Sequence, residues 1–515
     1  MKRNLKKVFA LLLACALIAA IAACGNGDSG TTESPPPGSA PVRDTLNVAG
    51  MQDSGTLYPL GVTGGWVGVL PLIYEPLLDT LPSGERVWIL ATGIDQHTDI
   101  HATLHIRQGV KFSNGAELTA EDVMFTMEMC KANPQMALNV KVVDFEKTRV
   151  TGTHTIDLWY TEFNASQEVG FSQMWIMHKA SFDEVALATT PVGTGPYTVT
   201  NYVVNSHLSL TARDDYWQGA PRIQNVNVRV INEDAQRVNA LEVGDIDYAT
   251  IPLKDVEFIR EKGYTVNLVN PGWSFVTLFS MLENQPLASK EARWAVCHAI
   301  DRQAIADILY YGMSDLTDWP VSHRVSDFEP RFANRHETYS IGYDPARART
   351  LAEQSGLVGQ TLRIITNGSQ DHTTAAEIIQ GNLLAIGVNV DIINYDQATY
   401  FPTMMDASNF EIAMFTPGAP SVLGVDILAM YITFIPLGWS GPGRDLYGQL
   451  SMGAITTFDE RSRSEQLNEA VGVWVDYAPW YSICEVEGAR AVNSELRGLQ
   501  FMLGGNFYYH NLYWG

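Results

Sequence analysis

The chain has 515 residues, 46% hydrophobic and 10% aromatic, with a formal charge of −23 from 34 basic and 57 acidic residues. That length exceeds what a single hydrophobic core serves and predicts two or three domains. The acidic balance, with no basic stripe to offset it, excludes nucleic acid or an anionic lipid surface as the working partner of the folded body.

The first element is a leader. Lys2, Arg3, Lys6 and Lys7 precede an apolar run from Val8 to Ala23, somewhat short for a stable membrane span, so the run reads as an export signal. It closes on Ile21-Ala22-Ala23-Cys24, which resembles a bacterial lipobox. That resemblance implies removal of residues 1–23 and a diacylglyceryl group on Cys24, which would hold the protein at the membrane surface. Residues 24–44 are rich in Gly, Ser, Thr and Pro and read as a flexible tether. A GxGxxG match at Gly25–Gly30 falls inside this tether. It has neither the preceding strand nor the following helix that a dinucleotide site needs. Of five cysteines, Cys15 leaves with the leader and Cys24 takes the lipid. Cys130, Cys297 and Cys484 are far apart and odd in number. They read as three buried thiols, with one disulfide plus a free thiol as the alternative.

From Thr45 the text is strand-like (TLNVAGM), and a helix is expected near Val67 to Asp79. Ala102, Leu104 and Ile106 alternate with Thr103, His105 and Arg107, a half-buried strand. His101 and His105 share its polar face. With no third ligand nearby and no HExxH in the chain, they read as solvated histidines and not as a metal site. Residues 109–123, GVKFSNGAELTAEDV, read as a short strand Val110-Lys111-Phe112 between turns, followed by a helix. Thr119 and Asp122 have the spacing of a capping box, and Glu121 and Asp122 suit the positive end of the helix dipole. Val123, Met127 and Cys130 fall on one apolar face.

This stretch resembles the signature of the family 5 extracellular solute-binding proteins, the oligopeptide-, dipeptide- and nickel-binding components of ATP-driven importers. Arg107, Gly109, Lys111, Phe112, Ser113, Asn114, Gly115, Thr119, Ala120, Asp122 and Val123 carry the match. Three further blocks follow in the family's order. Residues 191–231 hold a G-T-G-P-Y and a Y-W-x-G-x-P block. Residues 234–249 resemble the next helix and turn. Residues 291–312 resemble a helix pair joined at A-I-D-R, where Asp301 is placed as an N-cap. Ser280 stands where the family usually has Asn, and Ala292-Arg293 replaces its V-R.

The resemblance implies an α/β fold of the periplasmic-binding-protein type II kind. Two lobes are joined by two crossings, a third subdomain is inserted in the first lobe, and the lobes close on a solute by hinge motion. It divides the chain into the leader 1–23, the tether 24–44, lobe I at 45–88, an inserted subdomain at 89–187, lobe I again at 188–272, lobe II at 273–485 and a return to lobe I at 486–515. The first crossing is expected near Val269 to Phe275, with Pro271-Gly272 as a stiff–flexible pair, and the second near Cys484 to Ala491. The candidate ligand contacts are Tyr58, Tyr74, Trp273, Phe275, Tyr400, Thr416, Pro417, Gly418 and Asp426. The implied function is that of an extracytoplasmic, monomeric, lipid-anchored binding protein. It would take up a peptide-like small solute and deliver it to an ABC permease and its ATPase, with no catalytic residue, cofactor or metal.

One departure bears on the solute. Peptide-binding relatives carry G-W-x-x-D, whose aspartate holds the peptide ammonium. Aligned on Glu411-Ile412-Ala413, those positions are Thr416, Pro417, Gly418, Ala419 and Pro420 here, so the anchoring carboxylate is missing. Asp426, six residues on, is the candidate substitute. The alternatives are a non-peptide solute such as a metal chelate or glycoside, a ligand sensor, and an extracytoplasmic hydrolase. For the last, Gly438-Trp439-Ser440-Gly441-Pro442 lacks the final glycine of GxSxG.

Overall fold

The computed structural model describes residues 43–515 apart from 82–84, 271–272, 318–321, 323–340, 417–423, 435–436 and 503–504. The leader, Cys24, the Pro271-Gly272 pair, Pro417 and Gly418 therefore lie outside the described residues.

Two large mixed sheets organise the α/β fold. The first has seven strands in the order Tyr264–Val269, Gly488–Asn493, Tyr248–Ile251, Thr45–Gly50, Asn225–Val230, His207–Ala212 and Tyr197–Val203. The second has five, in the order Asn389–Asn394, Thr361–Thr366, Ile412–Phe415, Ser274–Phe279 and Trp480–Glu485. Ser274–Phe279 and Trp480–Glu485 are buried at every position, as strands covered on both faces must be. Phe275 and Phe279 join one core with helices Lys290–Ala299, Arg302–Tyr310 and Gln370–Ala385. Val276 and Leu278, alternating with them, join a second core with helices Gly424–Phe434, Pro442–Thr456 and Glu460–Tyr477. The chain passes from the first sheet to the second through residues 270–273 and returns through Val486 and Glu487.

A four-stranded antiparallel sheet, Ala91–Thr98, His101–Ile106, Thr155–Trp159 and Arg149–Gly152, carries a third core. The helix Ala120–Ala132 packs Val123, Met127 and Cys130 into it. The Asp122 carboxylate is the hub of this helix start. Its Oδ2 accepts from the Thr119 N–H at 2.9 Å and the Thr119 hydroxyl at 2.8 Å, and its Oδ1 accepts from the Lys179 N–H at 2.9 Å. Asp301 caps its helix by accepting from the Ala304 N–H at 3.0 Å. The polar-face histidines are each paired, His101 Nε2 with Asp157 at 2.7 Å and His105 Nε2 with Asp95 at 2.8 Å. Among the described residues no three ligand-type side chains gather as a metal site. Cys130, Cys297 and Cys484 are buried thiols outside any disulfide, and burial pushes Cys130 and Cys484 up to about 12.

Two local expectations are corrected. The helix expected near Val67 to Asp79 is a 3₁₀ turn, Gly64–Val69, followed by one α turn, Leu70–Ile73. It ends there because Pro76 disfavours helical backbone at Glu75, and Tyr74 is already extended. Val110 to Phe112 is not a strand, since only an isolated bridge, Lys111 to Glu117, forms there.

Two of the four blocks that carry the family resemblance, around Ser113 and Gly193, meet at one buried node. The Gly195 N–H donates to Ile73 O at 2.9 Å, and the Ser113 N–H to Gly193 O at 2.9 Å. Arg213, 5% exposed, donates to the carbonyls of Gly195, Lys111 and Phe112 at 2.9 to 3.2 Å. Glu75 accepts from the Tyr216 hydroxyl at 2.6 Å and from Trp217 Nε1 at 3.0 Å. The stretch around Ser113 is thus scaffold, tied to three segments that follow or precede it by many residues.

Candidate functional site

The registers fix where the two sheets face. In the first, Thr45–Gly50 runs parallel to Asn225–Val230 and Tyr248–Ile251. Ile251 lies opposite Ala489, beside Val269 and Gly488, where the crossings begin. In the second, Thr361–Thr366 runs parallel to Asn389–Asn394 and Ile412–Phe415. The ends of these strands lie beside Val276 and Ser274, where the first crossing arrives. Both sheets therefore turn their carboxyl edges toward the crossings, the edges at which open α/β sheets bind ligands.

The crossings are tied to each other. Asn270 Nδ2 donates to Glu485 Oε2 at 2.6 Å, the Trp273 N–H to Asn270 Oδ1 at 2.9 Å, and the Val486 N–H to Trp273 O at 2.9 Å. Ser322 Oγ donates to the other oxygen of Glu485 at 2.8 Å. These bonds hold the two crossings as a pair.

Three candidates from sequence share a neighbour that the sequence reading missed. His372 lies in the first turn of Gln370–Ala385, a helix capped by Ser369 and entered directly after Thr361–Thr366. Its ring centroid is 5.2 Å from that of Phe275 and 6.3 Å from that of Tyr400. Its Nε2 is 3.4 Å from Thr416 Oγ1. The side chain is 6% exposed, and Nδ1 has no hydrogen-bond partner. Burial lowers the imidazole to about 4, so it is neutral at neutral pH. The patch is aromatic and uncharged, with one ring nitrogen and one hydroxyl. The local hint in sequence was only the cap, Ser369 before Gln370-Asp371-His372.

The other candidates are dispersed. Trp273 stands at the first crossing, 38% exposed. Tyr58 belongs to the core of the four-stranded sheet, with its ring 6.2 Å from Phe182. Tyr74 is fully buried in the core under the first sheet, beside Trp66 and Tyr197. Asp426 accepts from the Ser166 hydroxyl at 2.8 Å and faces Lys141 Nζ at 3.8 Å. None of the seven candidates among the described residues lines the surface depression of about 570 Å³ that opens beside Val230, Ile231 and Asn239.

Two sheets joined by two crossings, with their carboxyl edges turned toward those crossings, define a two-lobed solute-binding protein. The chain belongs to the bacterial extracellular solute-binding proteins, family 5, whose middle region matches residues 88–431. It is 24% identical over 356 residues to the nickel-binding protein NikA of Staphylococcus aureus (strain NCTC 8325 / PS 47), covering 67% of this chain and 68% of that protein. It is also 24% identical over 341 residues to the di/tripeptide-binding protein 3 of Pseudomonas aeruginosa (strain UCBPP-PA14), covering 58% of this chain and 61% of that one. Among solved structures, the ABC transporter substrate binding protein CtaP of Listeria monocytogenes superposes with a TM-score of 0.81 at 21% identity, over 92% of this chain and 99% of that one. The protein is therefore an extracytoplasmic substrate-binding component of an ABC importer and not an enzyme, and a permease and ATPase are its partners. No helix among the described residues is long and apolar enough to cross a membrane.

Proposed function

We propose that this protein is the lipid-anchored, monomeric receptor of an importer for a peptide-like small solute. The solute is held between a first lobe, at residues 45–88 and 188–272 with the return 486–515, and a second lobe at 273–485. Residues 89–187 form a subdomain inserted in the first. The observation that carries this reading is the uncharged patch at the carboxyl edge of the second sheet. Phe275, Tyr400 and His372 back this patch from beneath, all buried, and the half-buried Thr416 offers its hydroxyl to an uncharged group such as a peptide carbonyl or amide. Trp273 stands at the crossing as a further wall, and Thr416 opens the segment with Pro417 and Gly418. The names of the relatives, nickel-binding and di/tripeptide-binding, mark a range of small polar solutes.

A second reading, a non-peptide solute in the same cleft, is favoured by Asp426. Its Oδ1 takes the Ser166 hydroxyl and faces Lys141, so a peptide ammonium would have to compete with both for the one carboxylate among the candidates. Burying that ammonium unpaired would cost several kcal/mol. Native mass spectrometry of protein starting after Cys24, with the bound molecule released and identified, separates the two. A ladder of short peptides is expected; a single non-peptide mass establishes the second reading, and glycan or peptide turnover by the protein would contradict both. The anchor rests on the leader and Cys24. Cys24→Ala is expected to move the protein from the membrane fraction to the soluble fraction, and its persistence in membranes would remove the lipid from the account.

A further inference from the structure

The crossings join the lobes covalently, but the subdomain at 89–187 also touches the second lobe elsewhere, around Asp426. Asp426 Oδ1 takes the Ser166 hydroxyl at 2.8 Å and lies 3.8 Å from Lys141 Nζ. The Ala165 N–H donates to Ile455 O at 2.8 Å. The Phe163 and Phe458 rings meet edge to face at 5.2 Å. Lys141, Phe163, Ala165 and Ser166 come from the subdomain; Asp426 comes from helix Gly424–Phe434 of the second lobe, and Ile455 and Phe458 from the end of helix Pro442–Thr456 and the segment after it.

This contact joins a charged and polar cluster at Asp426 to one aromatic pair and to Ala165, which packs against the second lobe's core. Interfaces of this kind permit relative motion, whereas large apolar ones lock domains together. Its chemistry is also reversible. The Ser166 hydroxyl has one hydrogen and two acceptors within reach, Asp426 Oδ1 and Asn164 Oδ1, the latter at 2.6 Å. The Ser166 N–H donates to the same Asn164 oxygen at 3.0 Å, which fixes that oxygen toward the serine. When the lobes part, the hydroxyl turns wholly to Asn164, and the charges of Lys141 and Asp426 return to water. Opening therefore leaves the Ser166 hydroxyl partnered and separates the Ala165 N–H from Ile455 O, and closing recovers a charge-assisted hydrogen bond.

We propose that Lys141, Ser166 and Asp426 form a clasp that sets the closed position of the lobes and tunes solute affinity without touching the solute. They are positioning residues. The inference rests on the two-lobed receptor reading but not on which solute the cleft takes.

The test uses the soluble protein with no solute added. Spin labels at V185C and L384C, both exposed positions on opposite sides of the contact, report the interlobe distance by pulsed electron resonance, while the native thiols are buried. D426K and K141D are each expected to shift the distribution to longer distances, lowering the ratio of short to long populations about fivefold or more. The double variant K141D/D426K is expected to recover the short population, which a merely structural role for either residue would not produce. Melting temperatures taken alongside identify a variant that fails to fold, and the milder D426N and K141M then replace it. A distribution unmoved by the single variants overturns the clasp, and so does a double variant that stays long. Because no solute is added, a wrong assignment of the solute leaves the outcome unchanged.

Discussion

Replacing Gly193 with alanine is expected to cost more than about 4 kcal/mol, the range reached only by a few kinds of substitution, and to leave little soluble protein. A Cβ built there lies 2.0 Å from Ile73 O, 2.8 Å from Ile73 C and 2.9 Å from Tyr74 Cδ1. Carbon atoms in contact sit at about 3.5 to 4.0 Å, so the overlap is severe and its first partner is backbone. That backbone has nowhere to go. Ile73 O is held by the Gly195 N–H, Gly193 O is held by the Ser113 N–H, and Arg213 gathers the carbonyls of Gly195, Lys111 and Phe112. Tyr74 is packed at 0% exposure and cannot swing aside. Gly93→Ala is the control: a Cβ there meets nothing within 4 Å, so a change within about 0.5 kcal/mol is expected. Chemical denaturation of both variants checks the pair. If Gly193→Ala unfolds at the wild-type denaturant concentration, the node at Ile73, Gly193 and Arg213 does not have the rigidity assigned to it.

The same node shows what a sequence makes legible. The capped helix after Ser113 was readable because Thr119 and Asp122 are three residues apart and their bonds are local. So was the strand His101–Ile106, whose alternation survives as alternating burial. The apolar run near Val67 to Asp79 misled because every residue from Val69 to Leu78 is buried. Such a run shows no period, and helix and extended backbone then read alike. His372 was illegible for a different reason. Its neighbours Phe275, Tyr400 and Thr416 arrive from three distant segments, and no local pattern registers that meeting. Asp426 was read for its charge alone, because its partner Ser166 is 260 residues away. The sequence reading therefore found the elements and the family blocks. It reached the edge beside His372 only through Phe275, Tyr400 and Thr416.

Glu75→Gln is expected to gain stability relative to the wild type as pH rises, by about 3 kcal/mol between pH 4.5 and 8. Glu75 is fully buried, and desolvation raises its carboxyl from 4.5 to about 7 despite the bonds from Tyr216 and Trp217. Between those two values the folded protein holds a proton that the unfolded chain releases. Stability then falls with rising pH, at 1.36 kcal/mol for each unit of difference. The contribution is fully present below about pH 4.5 and gone above about pH 7. Asp79, raised to about 6 by burial and bonded to the Tyr508 hydroxyl at 2.8 Å, acts in the same direction. His372 and His510 act in the opposite one. Burial lowers each to about 4, so the unfolded chain binds their protons first, and the stability they contribute is lost as pH falls from 6.5 toward 4. The wild-type curve mixes these terms, which is why the difference between variant and wild type is the quantity to measure. Glutamine keeps an oxygen for Tyr216 and Trp217 and cannot ionise, so any cost of the altered hydrogen bonding is the same at every pH. Denaturant titrations at pH 4.5, 5.5, 6.5 and 8 are expected to show the difference rising in favour of Glu75→Gln and levelling above pH 7. A difference that stays flat would mean that the carboxylate is ionised throughout, stabilised by Arg213 and its donors beyond what its burial removes.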